Sequence, residues 1–348
     1  MSNMSWSKQH CLIIAEAGVN HNGDLKMALE LVHAAAEAKA DIVKFQTFQA
    51  GLLATQAAVM ADYQKTNLDK SAANTSSKTN SQYEMLKNLE LSQDNHFRLI
   101  DECKKLKIGF LSTAFDFASL DFLISLKLGL WKIPSGEITN LPYLEKIGSL
   151  NQKVIVSTGM CDFSDVHAAV QVLKTAGTST ENLSVLHCHT DYPTEMKDVN
   201  LLAMAELGCD LGLSYGYSDH TLGTEVPVAA VALGAQIIEK HFTLSRQLEG
   251  PDHAASLEPL ELKQMVSSIR NIEVALGSHV KKPTDKELKN RVVARKSLVA
   301  LKPIKKGEVF TVQNLTTARP GSGISPMKWH VYLGKPADQD FQPGDLIQ

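Results

Sequence analysis

Residues 130–137 read LWKIPSGE, a short and mostly apolar run that is closed by proline, glycine and polar residues. A run of this length with such an end is typical of a buried strand. The pattern recurs along the chain and predicts strands at 12–15, 42–45, 109–112, 130–133, 154–157, 184–186, 211–214 and 236–239. The chain up to about residue 276 is therefore expected to contain eight buried strands.

The segments between these strands carry apolar residues at helical spacing, for example at 25–38, 95–106 and 141–150, and a last helix is predicted at 259–276. Eight strand–helix alternations in roughly 250 residues favour an α/β fold of the (β/α)8 TIM-barrel type. A doubly wound open sheet is the alternative, because it also alternates strands with helices. The number of strands favours the barrel.

Two segments depart from a plain barrel. Residues 51–82 are long, polar and rich in serine, threonine and asparagine, which indicates an excursion or lid. Residues 278–291 are charged and follow the last predicted helix, so they are interpreted as a linker between a catalytic barrel at 1–277 and a small domain at 292–348. That small domain is predicted to be mostly β, with short strands at 297–300 and 302–310. It is short for an independent core, so we expect it to dock on another part of the protein.

Composition excludes several classes of protein. Hydrophobic residues make up 44% and charged residues 21% of the 348, as in ordinary globular proteins. The net charge of -3 gives no electrostatic case for binding nucleic acid or an anionic membrane. Residues 1–9 lack the apolar core of a signal peptide, and no apolar run is long enough to span a bilayer. The five cysteines contain no CxxC pair, which argues against a thiolate zinc motif and predicts reduced thiols in the cytoplasm.

Polar residues follow nearly every predicted strand. Barrel enzymes build their active sites at the carboxyl ends of the strands, so these residues are expected to converge. They lie at Glu16 and 20–23, Lys44 and Gln46, 112–113, 132–137, 157–159, 187–192, 217–220, 239–241 and 250–253. Packing alone does not explain polar residues at so many strand ends, and the set predicts a catalytic centre.

Two lysines stand within apolar strand sequence, Lys44 and Lys132. A buried ammonium is costly unless an anion pairs with it, so a phosphate or carboxylate ligand is expected there, with Thr113 and Ser135 as hydroxyl donors. One alternative is a structural ion pair with Glu16 or Glu137. Another is Schiff-base chemistry, because a desolvated lysine is also a potential amine nucleophile.

Histidines at two places could bind a divalent cation. His220 and His241 stand at the ends of adjacent strands, so their imidazoles could share one ion. His187 and His189 form a competing pair, two residues apart on one face of an extended segment. Spacing alone does not choose between the pairs. The histidines at 10, 33, 96 and 167 are interpreted as surface residues.

Several of these motifs resemble those of the sialic acid synthase family. They are IAEAGVNHNG at 14–23, VKFQT at 43–47, WKIPSGE at 131–137, YSDHT at 217–221 and IEKHFT at 238–243. The segment RPGSGI at 319–324 resembles the C-terminal antifreeze-like (SAF) domain of the same family. The match runs in order over essentially the whole chain.

The resemblance implies a metal-dependent enzyme that condenses phosphoenolpyruvate with an N-acetylated mannose-type sugar and water, giving a sialic acid and phosphate. The main expectation is thus an N-acetylneuraminate synthase acting on N-acetylmannosamine. A legionaminic or pseudaminic acid synthase, which uses a diacetamido-trideoxy hexose, is the alternative within the family. A Schiff-base aldolase is a more distant alternative. A structural role, suggested by the ice-binding relatives of the tail, is disfavoured by the charged residues at the barrel mouth.

The resemblance also assigns residues. It implies His220 and His241 as ligands of Mn²⁺ or Mg²⁺, Lys44, Thr113, Lys132, Ser135 and Ser218 as phosphoenolpyruvate contacts, Glu16 and Glu239 as catalytic acidic residues, and Gln46, Glu137, Tyr192, Asp252 and Arg319 as sugar contacts. In the family the counterpart of Arg319 reaches into the partner subunit, which implies a homodimer with swapped C-terminal domains. Thr190 and Pro134 depart from residues found in some members, and Asn80 is a candidate for an asparagine contact from the lid.

Overall fold

The structure is a computed structural model that describes residues 10–53 and 81–348. The chain divides into two compact units, the first ending at Gly277 and the second comprising Ser278–Gln348.

Strands and helices alternate through the described part of the first unit. The strands are β1 (Leu12–Gly18), β2 (Ile42–Thr47), β3 (Gly109–Ala114), β4 (Leu130–Ile133), β5 (Lys153–Ser157), β6 (Leu183–Cys188), β7 (Ser214–Asp219) and β8 (Ile237–His241). The helices are α1 (Leu25–Glu37), α2 (Ala50–Leu53), α3 (Gln82–Asn88), α4 (Gln93–Leu106), α5 (Phe117–Ser125), α6 (Leu141–Gly148), α7 (Phe163–Ala176), α8 (Leu202–Leu211), α9 (Glu225–Ala232) and α10 (Pro259–Leu276).

The eight strands form one parallel sheet in the order β3-β2-β1-β8-β7-β6-β5-β4. The first strand pairs with both the second and the last, as in a barrel and unlike a doubly wound sheet. The two ends of this order, β3 and β4, also lie in contact. The predicted (β/α)8 barrel is therefore confirmed, and the open-sheet alternative is wrong.

An apolar layer fills one level of the barrel. It consists of Ile14, Ile42, Leu111, Leu130, Ile155, Leu186 and Ile237, one residue from each of seven strands, together with Leu12. Side chains alternate along a strand, so the residue two positions further on points to the same side. Two positions after Ile14, Ile42, Leu130 and Ile237 stand the charged residues Glu16, Lys44, Lys132 and Glu239. The period of the strands thus places a charged layer directly on an apolar one.

Helices cover the outside of the barrel and bury their apolar faces against the strands. Helix α1 buries Leu31, Val32 and Ala35, and α10 buries Leu262, Met265 and Ile269. Asp24 caps the start of α1 by accepting a hydrogen bond from the amide of Lys26, and Asp162 forms a capping box at α7. Along the described chain, no helix combines the length and the apolarity that crossing a bilayer demands.

The seventh strand was expected at 211–214 but begins at Ser214. Leu211 is the last residue of helix α8, and Gly212 ends that helix with a left-handed φ of 62°. The observed strand, Ser214–Asp219, is more polar than the apolar run before it, which is why the apolar pattern misplaced it. The helix in turn packs close to the strand, because the Gly208 position meets the ring of Tyr215.

The predicted excursion at 51–82 is described only at its two ends. Residues Gly51–Leu53 belong to helix α2, and Gln82 begins helix α3. Asn80 and the rest of 54–80 lie outside the described residues.

The second unit differs in detail from the expected linker and β domain. Helix α11 (Asp285–Ala294) occupies part of the predicted linker, because Thr284 and Glu287 form a capping box that starts it. Strands β9 (Ser297–Ala300) and β10 (Leu315–Ala318) pair antiparallel, and helix α12 (Trp329–Tyr332) follows. The predicted strand at 302–310 makes only isolated bridges, at Ile304 and Val309. Buried residues such as Leu298, Phe310 and Phe341 give this unit a small core of its own.

Candidate active site

One cavity of about 360 Å³ opens at the carboxyl ends of the strands. Its volume is in the range of small-molecule sites. Of the predicted site residues in the first unit, all but Glu137 line it: Glu16, Lys44, Gln46, Thr113, Lys132, Ser135, Tyr192, Ser218, His220, Glu239, His241 and Asp252. These predicted residues come from seven of the eight strand ends and from the loop after β8, and Ser157 adds the end of β5.

Four buried charges form the floor of this cavity. Lys44 Nζ lies 3.0 Å from Glu16 Oε2 and 3.5 Å from Glu239 Oε2, and Lys132 Nζ lies 3.1 Å from Glu239 Oε1. The side chains are at most 6% exposed, so each charge depends on the others for compensation. The ion-pair alternative was therefore right in naming Glu16. It was wrong about Glu137, which accepts a hydrogen bond from Asn140 Nδ2 at 2.6 Å.

The two carboxyls respond to this environment in opposite directions. Burial raises the pKa of Glu16 to about 7, although Lys44 acts to lower it. Burial also acts to raise the pKa of Glu239, but Lys132 and Lys44 prevail and hold it below its usual range. The cause is geometric, because Glu239 has two ammonium partners and Glu16 has one. Of the two carboxyls, Glu16 is the one that can exchange a proton near neutral pH.

The two lysines also differ. Burial acts to lower the pKa of Lys44, but Glu16 and Glu239 outweigh it and raise the pKa, so this side chain stays an ammonium. Burial lowers the pKa of Lys132, which Glu239 only partly offsets. An amine nucleophile must lose its proton, and the lowered pKa makes Lys132 the better of the two candidates for that role.

Hydroxyl groups surround the lysines. Lys44 Nζ donates to Thr113 Oγ1 at 3.2 Å, and Ser218 Oγ donates to Glu239 Oε1 at 2.9 Å. Ser135 Oγ accepts a hydrogen bond from the amide of Gly159 at 2.9 Å. Ammonium and hydroxyl groups together are the donors that phosphate and carboxylate ligands need. This half of the cavity is chemically suited to a small anion.

His220 and His241 converge, with ring centroids 5.4 Å apart. His220 Nδ1 is hydrogen-bonded to the backbone oxygen of His189, which leaves its Nε2 facing Ser218 Oγ at 3.5 Å. Tyr192 stacks on His220 with a centroid distance of 4.1 Å. Burial lowers the pKa of His220 to about 3 and that of His241 well below its ordinary value. Neutral imidazoles with one nitrogen held by a backbone carbonyl are the form in which histidine binds metals.

The histidine pair fits a divalent cation only in part. Within residues 10–53 and 81–348, no group of three or more histidine, cysteine, aspartate or glutamate side chains is arranged to hold a metal ion. The protein would therefore provide two ligands, the imidazoles of His220 and His241, and oxygen atoms of substrates or water would provide the others. Oxygen-rich ligation of this kind favours Mn²⁺ or Mg²⁺ over Zn²⁺.

The other predicted histidines take different places. His187 and His189 do not line the cavity, and His187 Nε2 is hydrogen-bonded to the backbone oxygen of Val199 at 3.0 Å. His96 was expected at the surface but is fully buried. Its Nε2 lies 2.7 Å from Thr47 Oγ1 and its Nδ1 2.8 Å from the oxygen of Ser92. The burial of such a histidine cannot be predicted from the hydrophobic pattern of its helix, because the residue is polar. It is buried because Thr47 and Ser92 provide hydrogen-bond partners.

The predicted sugar contacts spread around the rim. Gln46 Nε2 donates to Glu16 Oε1 at 3.3 Å, and Asp252 Oδ2 lies 3.9 Å from His241 Nδ1. Burial raises the pKa of Asp252 to about 6. Arg319 belongs to the second unit, where it is exposed and donates through Nε to the backbone oxygen of Ala294 at 3.0 Å.

An apolar wall was not predicted from the sequence. It is formed by Phe48, Met85, Leu86, Leu89 and Phe115, which line the cavity and pack together. Three of these residues lie on or beside helix α3, in a stretch at the end of the polar excursion. The spacing of Met85, Leu86 and Leu89 is helical and was a signal that could have found them.

A second buried ion pair lies behind the histidines. Lys240 Nζ contacts Asp219 Oδ2 at 2.5 Å, and both side chains are fully buried. The two residues are cross-strand partners of β7 and β8. Asp219 directly precedes His220, and Lys240 directly precedes His241. The pair points to the opposite side of the sheet from the cavity and joins the two strands that carry the imidazoles.

The cavity at the carboxyl end of the barrel holds two buried lysines, two carboxylates and two imidazoles. Such a site is that of an enzyme that binds a small anionic substrate. A model of the NeuB family matches residues 31–281, and a model of the SAF domain matches 295–348. The chain belongs to the NeuB family and ends in a SAF domain. The predicted family and the predicted antifreeze-like domain are confirmed.

Named relatives extend over nearly the whole chain. An N,N'-diacetyllegionaminic acid synthase from Campylobacter jejuni is 50% identical over 337 residues, covering 97% of this chain and 98% of its own length. Another from Legionella pneumophila is 47% identical over 343 residues, covering 98% and 94%. A crystal structure of N-acetylneuraminic acid (sialic acid) synthetase from Leptospira borgpetersenii, in complex with citrate, is 33% identical, has a TM-score of 0.68 and covers 82% of this chain and 91% of that one.

Replacing Lys240 by methionine should strongly destabilise the first unit. The change leaves the Asp219 carboxylate buried without its ammonium, which costs about 3–5 kcal/mol. Lys104→Met is the matched control, since Lys104 Nζ lies 3.1 Å from Asp101 in a pair that is more than 60% exposed. That change should cost about 0–1 kcal/mol. Urea unfolding followed by fluorescence measures both, and equal losses would contradict a special role for burial.

Proposed function

We propose that the chain condenses phosphoenolpyruvate with a diacetamido-trideoxy hexose, and that it is thus an N,N'-diacetyllegionaminic acid synthase. The observation that carries the proposal is the identity of 50% and 47% to two synthases of that name over nearly the full length. The first expectation, an N-acetylneuraminate synthase, has weaker support, because the synthetase of that name is 33% identical. It remains the second candidate. A pseudaminic acid synthase would use a sugar of the same diacetamido-trideoxy class.

The lysine half of the cavity is proposed to bind phosphoenolpyruvate. Lys44 and Lys132 supply positive charge, and Thr113 and Ser135 supply hydroxyl donors for the phosphate and carboxylate groups. Ser218 can donate to the same groups when its proton leaves Glu239. In the structure the lysines are paired with Glu16 and Glu239. An entering anion therefore shares ammonium groups that are already oriented, which lowers the cost of arranging them during binding.

The apolar wall is proposed to face the acceptor sugar. A trideoxy sugar presents a methyl group where N-acetylmannosamine presents a hydroxyl, and a second acetamido group adds another methyl. Phe48, Met85 and Phe115 offer apolar surface to such groups. A hydroxyl held against them would lose its water partners, at a cost of about 1–3 kcal/mol. The wall therefore supports the diacetamido-trideoxy sugar over N-acetylmannosamine.

The chemistry follows from the charged floor. The enol carbon of phosphoenolpyruvate forms a bond to the aldehyde carbon of the open-chain sugar, the C=O double bond opens, and the aldehyde oxygen takes up a proton to become a hydroxyl. Positive character develops at the phosphate-bearing carbon. Water adds to that carbon, and phosphate leaves from the resulting tetrahedral intermediate. Glu16, held beside Lys44, is proposed to stabilise the developing charge or to take the proton of the attacking water. Glu239 keeps Lys132 and Ser218 oriented.

His220 and His241 are proposed to hold Mn²⁺ or Mg²⁺. A divalent ion supplies Lewis-acid polarisation of the sugar aldehyde when it is bound. The contribution of the chain is to present two neutral imidazoles. The His189 backbone oxygen fixes the ring of His220, and Tyr192 stacks on it.

Arg319 is proposed to complete the sugar site of a partner subunit, in a homodimer with exchanged C-terminal domains. The support is the family resemblance and the exposure of its guanidinium, whose planar donors suit sugar and acetamido oxygens. A site completed in this way would be shared across the dimer.

Phosphate release should depend on which sugar accompanies phosphoenolpyruvate. The value of kcat/KM with the diacetamido-trideoxy mannose-type hexose should exceed that with N-acetylmannosamine by at least about tenfold, the usual effect of one methyl or hydroxyl group in an apolar pocket. Met85→Gln should narrow that ratio, because it places an amide in the wall. A higher value with N-acetylmannosamine would establish the second candidate, and an adduct trapped by borohydride would establish a Schiff-base aldolase.

Removing divalent cations should abolish activity, and adding Mn²⁺ or Mg²⁺ should restore it. His220→Ala and His241→Ala should each weaken Mn²⁺ binding by at least about tenfold, since a site with two protein ligands spares neither. Titration calorimetry of the stripped protein measures the binding directly. His33→Ala is the control, because His33 is a half-exposed imidazole paired with Glu102 on the outer helices. Full activity in metal-free protein would contradict the assignment.

Two variants with impaired activity should rescue each other if the site is shared. Lys132→Ala is expected to raise KM for phosphoenolpyruvate far more than KM for the sugar, and Arg319→Ala should do the reverse. Mixed dimers of the two contain one site with both residues intact, so co-expression should restore activity well above either parent. Native mass spectrometry verifies the mixed dimers. Mixed dimers without restored activity would show that Arg319 does not act in the partner's site.

A further inference from the structure

The segment Asn20–Gly23 follows β1 at the barrel mouth, yet none of its residues lines the cavity. Asn20 is fully buried. Its Nδ2 donates to the backbone oxygen of Phe242 at 2.8 Å and to Ser256 Oγ at 2.9 Å. Both partners belong to residues 242–256, the loop between β8 and α10, which we call the β8 loop. The first strand end thus binds the loop that follows the last strand.

Ser256 passes this contact on to the cavity. Its Oγ, which accepts from Asn20, donates to the backbone oxygen of Asp252 at 2.6 Å. Ser256 is 1% and Asp252 8% exposed, so water does not compete for these bonds. The Asp252 carboxyl lines the cavity, with Oδ2 3.9 Å from His241 Nδ1. Two hydrogen bonds therefore connect the Asn20 amide to the backbone of a residue at the rim.

Asn22 holds the same loop at a second place. Its Nδ2 donates to the backbone oxygen of Glu249 at 2.8 Å, and its Oδ1 lies 3.2 Å from His253 Nε2. His253 Nδ1 lies in turn 2.6 Å from Thr243 Oγ1. The loop is thereby fixed on both sides of Asp252, at 249 and 253. The packing is close, because a Cβ at Gly250 would come within 2.6 Å of the His253 ring.

We propose that Asn20 and Ser256 are positioning residues that set the place of Asp252 against the acceptor sugar. The proposal rests on the proposed function, in which Asp252 contacts that sugar. Neither residue touches the cavity. They act through the backbone of the β8 loop. This role accounts for a buried amide at Asn20 and a buried hydroxyl at Ser256, since two apolar side chains could fill the same space but could not form these hydrogen bonds. A displacement of about 1 Å at such a contact weakens the binding of the sugar and so lowers the catalytic efficiency kcat/KM with it.

Ser256→Ala tests the connection with the smallest change. It removes the donor to Asp252 and leaves the bond from Asn20 to Phe242 in place. KM for the sugar should rise at least about fivefold, while KM for phosphoenolpyruvate should stay within about twofold, because Lys44 and Lys132 lie on β2 and β4, away from the β8 loop. Thr178→Val is the matched control: Thr178 is 2% exposed, its Oγ1 donates to the Gly148 backbone oxygen at 3.2 Å, and it lies outside the cavity. The control should leave both constants unchanged.

Hydrogen exchange followed by mass spectrometry gives a second measurement that does not depend on turnover. Ser256→Ala and Asn20→Ala should speed exchange at the amides of Ala255 and Ser256, which close the turn at Asp252, and Thr178→Val should not. Unchanged exchange, or equal rises in both Michaelis constants, would overturn the proposal. If the unaltered protein releases phosphate with neither sugar, the proposed function fails, and the exchange rates alone decide whether Asn20 and Ser256 hold Asp252.

Discussion

The site depends on four charged side chains that are buried on top of an apolar layer. Isolated, each of Glu16, Lys44, Lys132 and Glu239 would cost several kcal/mol to remove from water. Together they compensate one another, with Glu239 placed between both ammonium groups. The apolar layer beneath, which includes Ile14 and Ile237, excludes water from below. The mutual pairing of the charges thus allows them to be buried away from water. Because the effective dielectric constant is low there, their interaction with a bound anion is strong.

This constraint accounts for the division of the cavity. The lysines and hydroxyls come from residues that point into the barrel, where the strand geometry sets their separation. The apolar wall comes from helix α3 and from Phe48 and Phe115, which follow β2 and β3. The charged half rests on the strands of the barrel, whereas the wall rests on connections between strands and helices, which in proteins generally vary more in sequence. Members of a family with this arrangement can therefore bind the same anionic substrate in the charged half and differ in the sugar that the wall accepts.

A second group of polar residues supports the first from outside the cavity. Lys240 and Asp219 join β7 to β8 behind the imidazoles, and Asn20 and Ser256 hold the β8 loop. Lys240 and Asp219 directly precede the two imidazoles in the sequence. Ser256 is one hydrogen bond, and Asn20 two hydrogen bonds, away from Asp252. Because neighbouring residues on a strand face opposite sides, a motif such as Tyr217–Thr221 contains both cavity residues and supporting residues. Their functions differ although their positions in the sequence are adjacent.

The sequence by itself determined the barrel, most of its strands and most of the residues that line the cavity, although it misplaced the seventh strand. Eight short apolar runs that alternate with helical patterns admit few other folds, and strand geometry then brings Lys44, Lys132 and Glu239 to one place. Three features were decided only by the tertiary structure. They are the pairing of Glu239 with both lysines, the burial of His96, and the contact of helix α3 with the cavity. These features depend on contacts between residues that are far apart in the chain. A local sequence pattern does not predict such contacts, because they are determined by tertiary packing.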